Sequence, residues 1–260
     1  MAANKKFNVA LLQLNIEKEE IESNYKKIKS YLPKLAKKNI KLVALPELWP
    51  TSFIKSKLPQ MAELTAEFVE EMAKLSEKYG MVIIGSGIEQ DKDNYYNSAH
   101  IIDNGKILGY YRKVHLFKAI KEDTVFKPGK KAMVFSTSLG KIGVAICYDL
   151  RFPELIREIM NLGAEILVVP AQWPVSRINH WQILLPARAI ENQMFVLGVN
   201  RIGEEKVGRT TVEYNGHSMI IDPWGEVISQ AGDREGFRTA KFDLNKVEQI
   251  RKKFPFLKDL

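Results

Sequence analysis

The chain holds one cysteine, Cys147, and its neighbours decide what that thiol could do. It closes the apolar run Lys141–Ile146 and is followed by Tyr148, Asp149, Leu150, Arg151, Phe152, Pro153 and Glu154. Proline is favoured at the first position of a helix, so the pattern reads strand, tight turn, helix. Such an elbow lifts a side chain off a sheet edge and aims backbone N–H groups at whatever it attacks. A lone cysteine is more often a small buried hydrophobe. The strand-end position beside Asp149 and Arg151 is what makes a nucleophile a serious competitor to that reading. A single cysteine also excludes an intramolecular disulfide and a cysteine-based zinc cage.

A nucleophilic thiol needs a base. The four histidines, His100, His115, His180 and His217, do not sit in a pattern typical of a Cys-His protease. Glu47 is the better partner. It follows the apolar run Leu42–Leu45 directly after Pro46, with Leu48 and Trp49 behind it. A carboxyl in apolar surroundings at a strand end trades protons near neutrality, although an ordinary cap or loop glutamate would look the same. Lys113 ends a third strand, between Tyr110-Tyr111-Arg112 and Val114-His115-Leu116-Phe117. It is either snorkelling or a fixed positive charge. A thiol, a carboxylate and an ammonium at three strand ends could together deprotonate a nucleophile, hold an oxyanion and protonate an amine leaving group. That chemistry requires no metal and no cofactor.

The elements that must bring these ends together alternate along the chain. Strands are expected at Phe7–Leu14, Lys41–Leu45 and Met81–Ile88, with helices over Ile21–Lys38 and Met61–Tyr79. Asn97–Ile102 and Lys106–Tyr111 flank Asp103-Asn104-Gly105, a strong tight-turn signal. The second half repeats the style, with strands Ala132–Ser136, Lys141–Ile146, Ile166–Val169 and Phe195–Asn200 and helices Pro153–Asn161 and Ile178–Asn192. Strands His217–Ile221, Glu226–Ser229 and Arg238–Phe242 and a basic helix Asn245–Lys252 complete the pattern. No linker or repeat divides it, so one domain over residues 1–260 is expected. Two β-α-β halves fit a four-layer α-β-β-α sandwich or one doubly wound sheet, and periodicity does not choose.

Of 260 residues, 45% are hydrophobic and 27% charged, which excludes intrinsic disorder. No run reaches the ~18 apolar residues of a membrane span, and the opening residues read as a first strand rather than a signal peptide. A cytoplasmic protein is therefore expected. The net charge of +8 raises the question of a polyanion partner. The densest cluster, Lys26 to Lys41, interleaves with Ile21, Tyr25, Ile28 and Leu35 at helical spacing. That is the pattern of a solvated helix face, which Pro33 must kink or divide. With no zinc-finger spacing, aromatic RNA motif or basic tail, nucleic-acid binding is not expected. Gly85-Ser86-Gly87 lacks the third glycine of a dinucleotide motif.

Leu45-Pro46-Glu47, Arg112-Lys113-Val114-His115-Leu116-Phe117 and Cys147-Tyr148-Asp149-Leu150-Arg151-Phe152-Pro153-Glu154 resemble, in order and spacing, the three signature blocks of the nitrilase superfamily of carbon–nitrogen hydrolases. The resemblance runs from about residue 7 to 243. It implies the α-β-β-α sandwich, a Glu-Lys-Cys triad and assembly as a homodimer or larger even oligomer. Carried over, Cys147 is the nucleophile, Glu47 the base and then acid, and Lys113 with the backbone N–H of Tyr148 the oxyanion site. Glu122 best matches a second family glutamate that orients the lysine or the substrate. Leu45–Thr51 and Ala171–Trp181 resemble the ω-amidase branch, which deamidates 2-oxoglutaramate. A small amide is then the expected partner, and Arg177 the candidate cation for its carboxylate, unless it is a salt-bridged surface arginine. Trp173 would wall the pocket or simply pack the core, and Arg151 is expected to be structural, beside Asp149. Other amide, N-carbamoyl or nitrile hydrolysis, or an inactive binding scaffold, remain alternatives.

Overall fold

Successive side chains of a strand point to opposite faces, and most strands here are apolar on both, so each sheet must be covered twice. The computed structural model describes residues 5–207 and 210–259. The first half forms β1 (Lys6–Gln13), α1 (Ile21–Lys37), β2 (Ile40–Ala44), α2 (Leu58–Tyr79), β3 (Val82–Asp91), β4 (Asn94–Asp103) and β5 (Lys106–Arg112). The second forms β6 (Val134–Thr137), β7 (Gly140–Val144), α3 (Pro153–Asn161), β8 (Ile166–Ala171), α4 (Ile178–Asn192) and β9 (Phe195–Asn200). The hairpin β10 (Ile202–Val207) and β11 (Thr210–Asn215) follows, then β12 (Met219–Ile221), β13 (Val227–Gln230), β14 (Gly236–Asp243) and α5 (Asn245–Lys253). Two six-stranded sheets result, in the orders β14-β1-β2-β3-β4-β5 and β13-β12-β9-β8-β7-β6.

The sheets pack face to face. Val9, Leu11, Leu42 and Ala44 share one apolar cluster with Ile142, Val144, Val168 and Leu197. The alternate residues Ala10, Leu12, Val43 and Ile83 pack outward on Ile28, Leu32 and Leu35 of α1 and on Val69 and Met72 of α2. On the other side Leu167, Val169 and Val196 meet Ile156 and Ile159 of α3 and Trp181 and Leu185 of α4. This is the four-layer α-β-β-α sandwich, and the single doubly wound sheet is excluded. A one-residue slip of any central strand would exchange its two buried sets, so register is strongly specified. At Gly143 the helix layer comes so close that a Cβ would sit 2.1 Å from the Ile159 side chain.

Several local expectations are met. Asn104 and Gly105 both have positive φ, 45° and 85°, and close the β4–β5 hairpin. Ile21, Tyr25, Ile28 and Leu35 are buried, while Lys26, Lys29, Lys34 and Lys37 are exposed. Of the two effects expected of Pro33, division of the helix does not occur: α1 runs from Ile21 to Lys37 with Pro33 inside it. Pro33 is on the exposed face, where water can satisfy the carbonyl that loses its N–H partner, and buried Leu32 and Leu35 anchor the helix on both sides. The hairpin β10–β11 was not foreseen.

Parallel pairing of β2 with β3 and antiparallel pairing of β3–β4 and β4–β5 make β2 and β5 run the same way. β7 and β8 are parallel in the other sheet. The Gln172 N–H, just beyond β8, donates to Glu47, just beyond β2, so the segments that leave β2, β5, β7 and β8 do so at one end of the sandwich.

Candidate active site

Cys147 lies just beyond β7, at the start of a 3₁₀ turn over Cys147–Arg151. Its φ is 47°, a left-handed backbone that non-glycine residues rarely adopt. Asp149, fully buried, holds that elbow. Its Oδ2 accepts from the Ile146 N–H at 3.0 Å and from the Tyr111 hydroxyl at 2.7 Å. Its Oδ1 accepts from the His115 N–H at 2.8 Å. One carboxylate therefore ties the cysteine turn to the segment that carries Lys113.

Glu47, Lys113 and Glu122 are buried, and all three line one cavity with Cys147. Lys113 Nζ donates to Glu47 Oε1 at 2.8 Å and reaches both oxygens of Glu122 at 3.0 Å. Glu122 is fixed in turn by the Phe117 N–H, 2.7 Å from Oε2. Burial pulls the ammonium down, but Glu122 and Glu47 outweigh it and hold Lys113 well above the usual lysine range. The lysine is charged at any working pH. Burial, and then the neighbouring Glu47 carboxylate, push the Cys147 thiol well up against the opposing pull of Lys113. The resting group is a neutral thiol beside a carboxylate, which is a nucleophile–base pair rather than a preformed thiolate.

The apolar wall expected around Glu47 is not what meets its carboxylate. Besides Lys113, Asn97 Nδ2 donates to Oε1 at 2.8 Å and the Gln172 N–H to Oε2 at 2.9 Å. The Gln172 side chain also donates to the Glu47 carbonyl at 3.0 Å. Neither Asn97 nor Gln172 was singled out from the sequence. The Gln172 contribution to the carboxylate is a backbone N–H at the end of β8, and a backbone group carries no signature of residue type.

A cavity of about 450 Å³ opens onto Cys147, Glu47, Lys113 and Glu122, a size suited to a small molecule. Tyr148 and Trp173 line it. Trp173 does both things weighed for it: it walls the cavity, and it packs 5.5 Å from the Trp181 ring in the core. Its indole N–H donates to the Arg177 carbonyl at 2.7 Å. The Arg177 side chain lines the cavity too, its guanidinium 5.3 Å from the Phe117 ring centre. Arg151 is not the structural neighbour of Asp149 that was expected. The acceptors of Asp149 are filled by backbone N–H groups, His115 and Tyr111, and Arg151 instead faces the cavity over the Trp173 ring at 4.7 Å. Among the described residues no cluster of His, Cys, Asp and Glu could hold a metal ion.

Comparison with known proteins agrees with this arrangement. The carbon–nitrogen hydrolase family model matches residues 8–252. The chain is 35% identical to the 2-oxoglutaramate amidase of Bacillus subtilis over 98% of both chains. It is 32% identical to an omega-amidase of Xenopus laevis, covering 96% of this chain and 93% of that one. Among solved structures, a carbon–nitrogen hydrolase of Helicobacter pylori superposes with a TM-score of 0.89 at 29% identity, covering 99% of this chain and 96% of that one. A superfamily protein of Xanthomonas campestris does so with a TM-score of 0.89 at 25% identity, covering 98% and 97%. With the sandwich, the cysteine elbow and the buried acid–lysine cluster in place, the chain belongs to the carbon–nitrogen hydrolase family of the nitrilase superfamily.

Proposed function

We propose that the protein is an ω-amidase that hydrolyses the terminal amide of a short 2-oxo dicarboxylic acid monoamide, 2-oxoglutaramate foremost, through a Cys147 thioester. The observation that carries this reading is one cavity lined both by the thiol, carboxylate and ammonium of Cys147, Glu47 and Lys113 and by Arg177. Similarity to the 2-oxoglutaramate amidase of Bacillus subtilis supports the choice of substrate.

The proposed steps use the groups gathered around the thiol, with the roles that the family resemblance implies. Glu47 takes the proton of Cys147 as sulfur adds to the amide carbon, so no free thiolate is needed beforehand. The tetrahedral oxyanion is met by Lys113, whose charge is fixed by Glu122, and by the Tyr148 N–H. Glu47 returns its proton to the nitrogen, and the C–N bond breaks to release ammonia. Water, deprotonated by the same Glu47, then attacks the thioester, and the thiol regains its proton as the acid leaves.

Because the thiol must stay reduced, we place the protein in the cytoplasm. We also propose that it assembles as a homodimer. Ile183 and Ile190, two turns apart on α4, are 66% and 54% exposed. Trp224 and Phe256 are exposed as well, and both rings lie against Phe254. Exposed apolar side chains of this size support an interface between copies of the chain.

The test is ammonia release from 2-oxoglutaramate, 2-oxosuccinamate, glutamine, asparagine, an N-carbamoyl amine and a simple nitrile. The highest kcat/KM is expected for the two 2-oxo amides. A preference for the N-carbamoyl amine or the nitrile would overturn the assignment.

A further inference from the structure

Two nitrogens in the site bridge the same pair of oxygens. Lys113 Nζ donates to Glu47 Oε1 at 2.8 Å and to Glu122 Oε1 at 3.0 Å. Asn97 Nδ2 donates to the same Glu47 oxygen at 2.8 Å and reaches the same Glu122 oxygen at 3.3 Å. The four atoms close a ring in which an amide works in parallel with an ammonium. Asn97 is buried on β4, and its backbone carbonyl accepts the Lys113 N–H at 2.9 Å. Its Oδ1 is buried without a partner among the described residues. That orphan is a cost. The opposite orientation of the amide would cost more, because it would aim Oδ1 at two carboxylates.

A carboxylate oxygen has two lone-pair sites. On Oε1 of Glu47, Lys113 and Asn97 fill both. Among the described residues Oε2 takes one hydrogen bond, from the Gln172 N–H at 2.9 Å, and keeps one site open. The same N–H also acts on the Cys147 sulfur, which puts Oε2 on the sulfur's side of the carboxylate. We propose that Asn97 is a positioning residue that confines the proton carried by Glu47 to Oε2. This inference rests on the reading of Glu47 as the base for Cys147. In each transfer the S–H or water O–H bond breaks as the Oε2–H bond forms. Oε2 then gives its proton to the departing nitrogen or, at the end, to the sulfur. Without the amide, one site on Oε1 lies open beside Glu122. A proton bound there is shared between two carboxylates, a favoured arrangement, and is lost to the reaction. Lys113 alone does not prevent this, since it fills a single site. The amide prevents it without a second positive charge, which would weaken Glu47 as a base.

The experiment compares wild type with Asn97→Leu, which is of similar size and removes both donors. Asn97→Ala is used beside it, since it adds no bulk to the strand. Both leave the backbone bond to Lys113 in place. Turnover of 2-oxoglutaramate and of pentanamide, an uncharged amide of similar length, is followed against pH. Alkylation of Cys147 by iodoacetamide is followed in the same way and needs no substrate. A hydrogen bond to a carboxylate favours its charged form. Its loss should move the acid limb of kcat up by about one pH unit, the equivalent of a tenfold change in proton binding. The acid limb of alkylation should move with it, because the neutral thiol depends on the same base. On the plateau kcat should fall roughly tenfold, alike for both amides, a part of what a general base contributes. KM should stay level, since Asn97 is outside the cavity lining. Acid limbs that stay in place in both variants would make Asn97 a residue that only fills the strand and would overturn the inference. A rise in KM, or a loss confined to one amide, would overturn it too, because either would mean contact with the substrate. If wild type hydrolyses neither amide, the proposed function fails, and the alkylation limb still decides the role of Asn97.

Discussion

At the residue scale the site is an electrostatic compromise around one thiol. Glu47 raises the Cys147 pKa and Lys113 lowers it, on top of the larger upward push of burial. Replacing Glu47 by Gln removes the anion and leaves the cation. The midpoint for thiolate formation, followed by the pH dependence of iodoacetamide alkylation, should then move to lower pH. The same substitution should cost on the order of 10²-fold or more in turnover, because the proton carrier is gone. A midpoint that stays or rises would mean that Glu47 does not face the sulfur. Lys113→Ala should also lose about 10²-fold or more in kcat, measured as ammonia release. Cys147, Glu47, Lys113 and Glu122 were legible because each type is unusual at its place and the flanking blocks carry a family resemblance. Asn97 and Gln172 were not. Uncharged amides suggest no chemistry by type, and their work is to hold Glu47.

Among the elements, the central strands and all five helices could be read from periodicity, whereas β10 and β11 could not. Ile202–Val207 contains Glu204, Glu205 and Lys206 and has no apolar alternation, so it resembles a loop. What holds it is a buried ion pair. Arg201 Nη1 donates to Glu205 Oε2 at 2.7 Å and to Ser52 Oγ at 2.6 Å, and Nη2 reaches the Ile16 carbonyl at 2.6 Å. Val207, Val212 and Tyr214 of this hairpin line the cavity. Glu205→Ala would leave the Arg201 charge buried without its partner, a loss typically worth about 3–5 kcal/mol. Urea unfolding should show it as a lower midpoint at unchanged slope, accompanied by a higher KM. A midpoint within about 0.5 kcal/mol of wild type would show that the hairpin does not depend on the pair. The choice between one sheet and two was also invisible to periodicity. Strands buried on both faces read alike in either architecture, and the packing of Leu42 and Ala44 on Ile142 and Val144 is what separates them.

For the whole molecule, a net charge of +8 and a cation-lined cavity should steer anionic substrates. Between 20 and 300 mM salt, values that span about 20 to 6 Å of Debye screening, kcat/KM for 2-oxoglutaramate should fall while that for pentanamide stays level. Parallel declines would remove electrostatic steering from the account. The exposed apolar set on α4, Trp224 and Phe256 should be covered in solution. Light scattering at micromolar concentration should then give about twice the chain mass of 29.7 kDa or a larger even multiple. A particle of one chain mass would contradict assembly.

The central claim, that Cys147 forms the bond to the substrate, is tested most directly by ammonia release from 2-oxoglutaramate in wild type and in Cys147→Ala. Folding of the variant is confirmed by circular dichroism, since the change removes one sulfur and little buried surface. Wild type should turn over and the folded variant should release no ammonia above the uncatalysed rate. Turnover by folded Cys147→Ala at a rate near wild type would contradict the thioester mechanism.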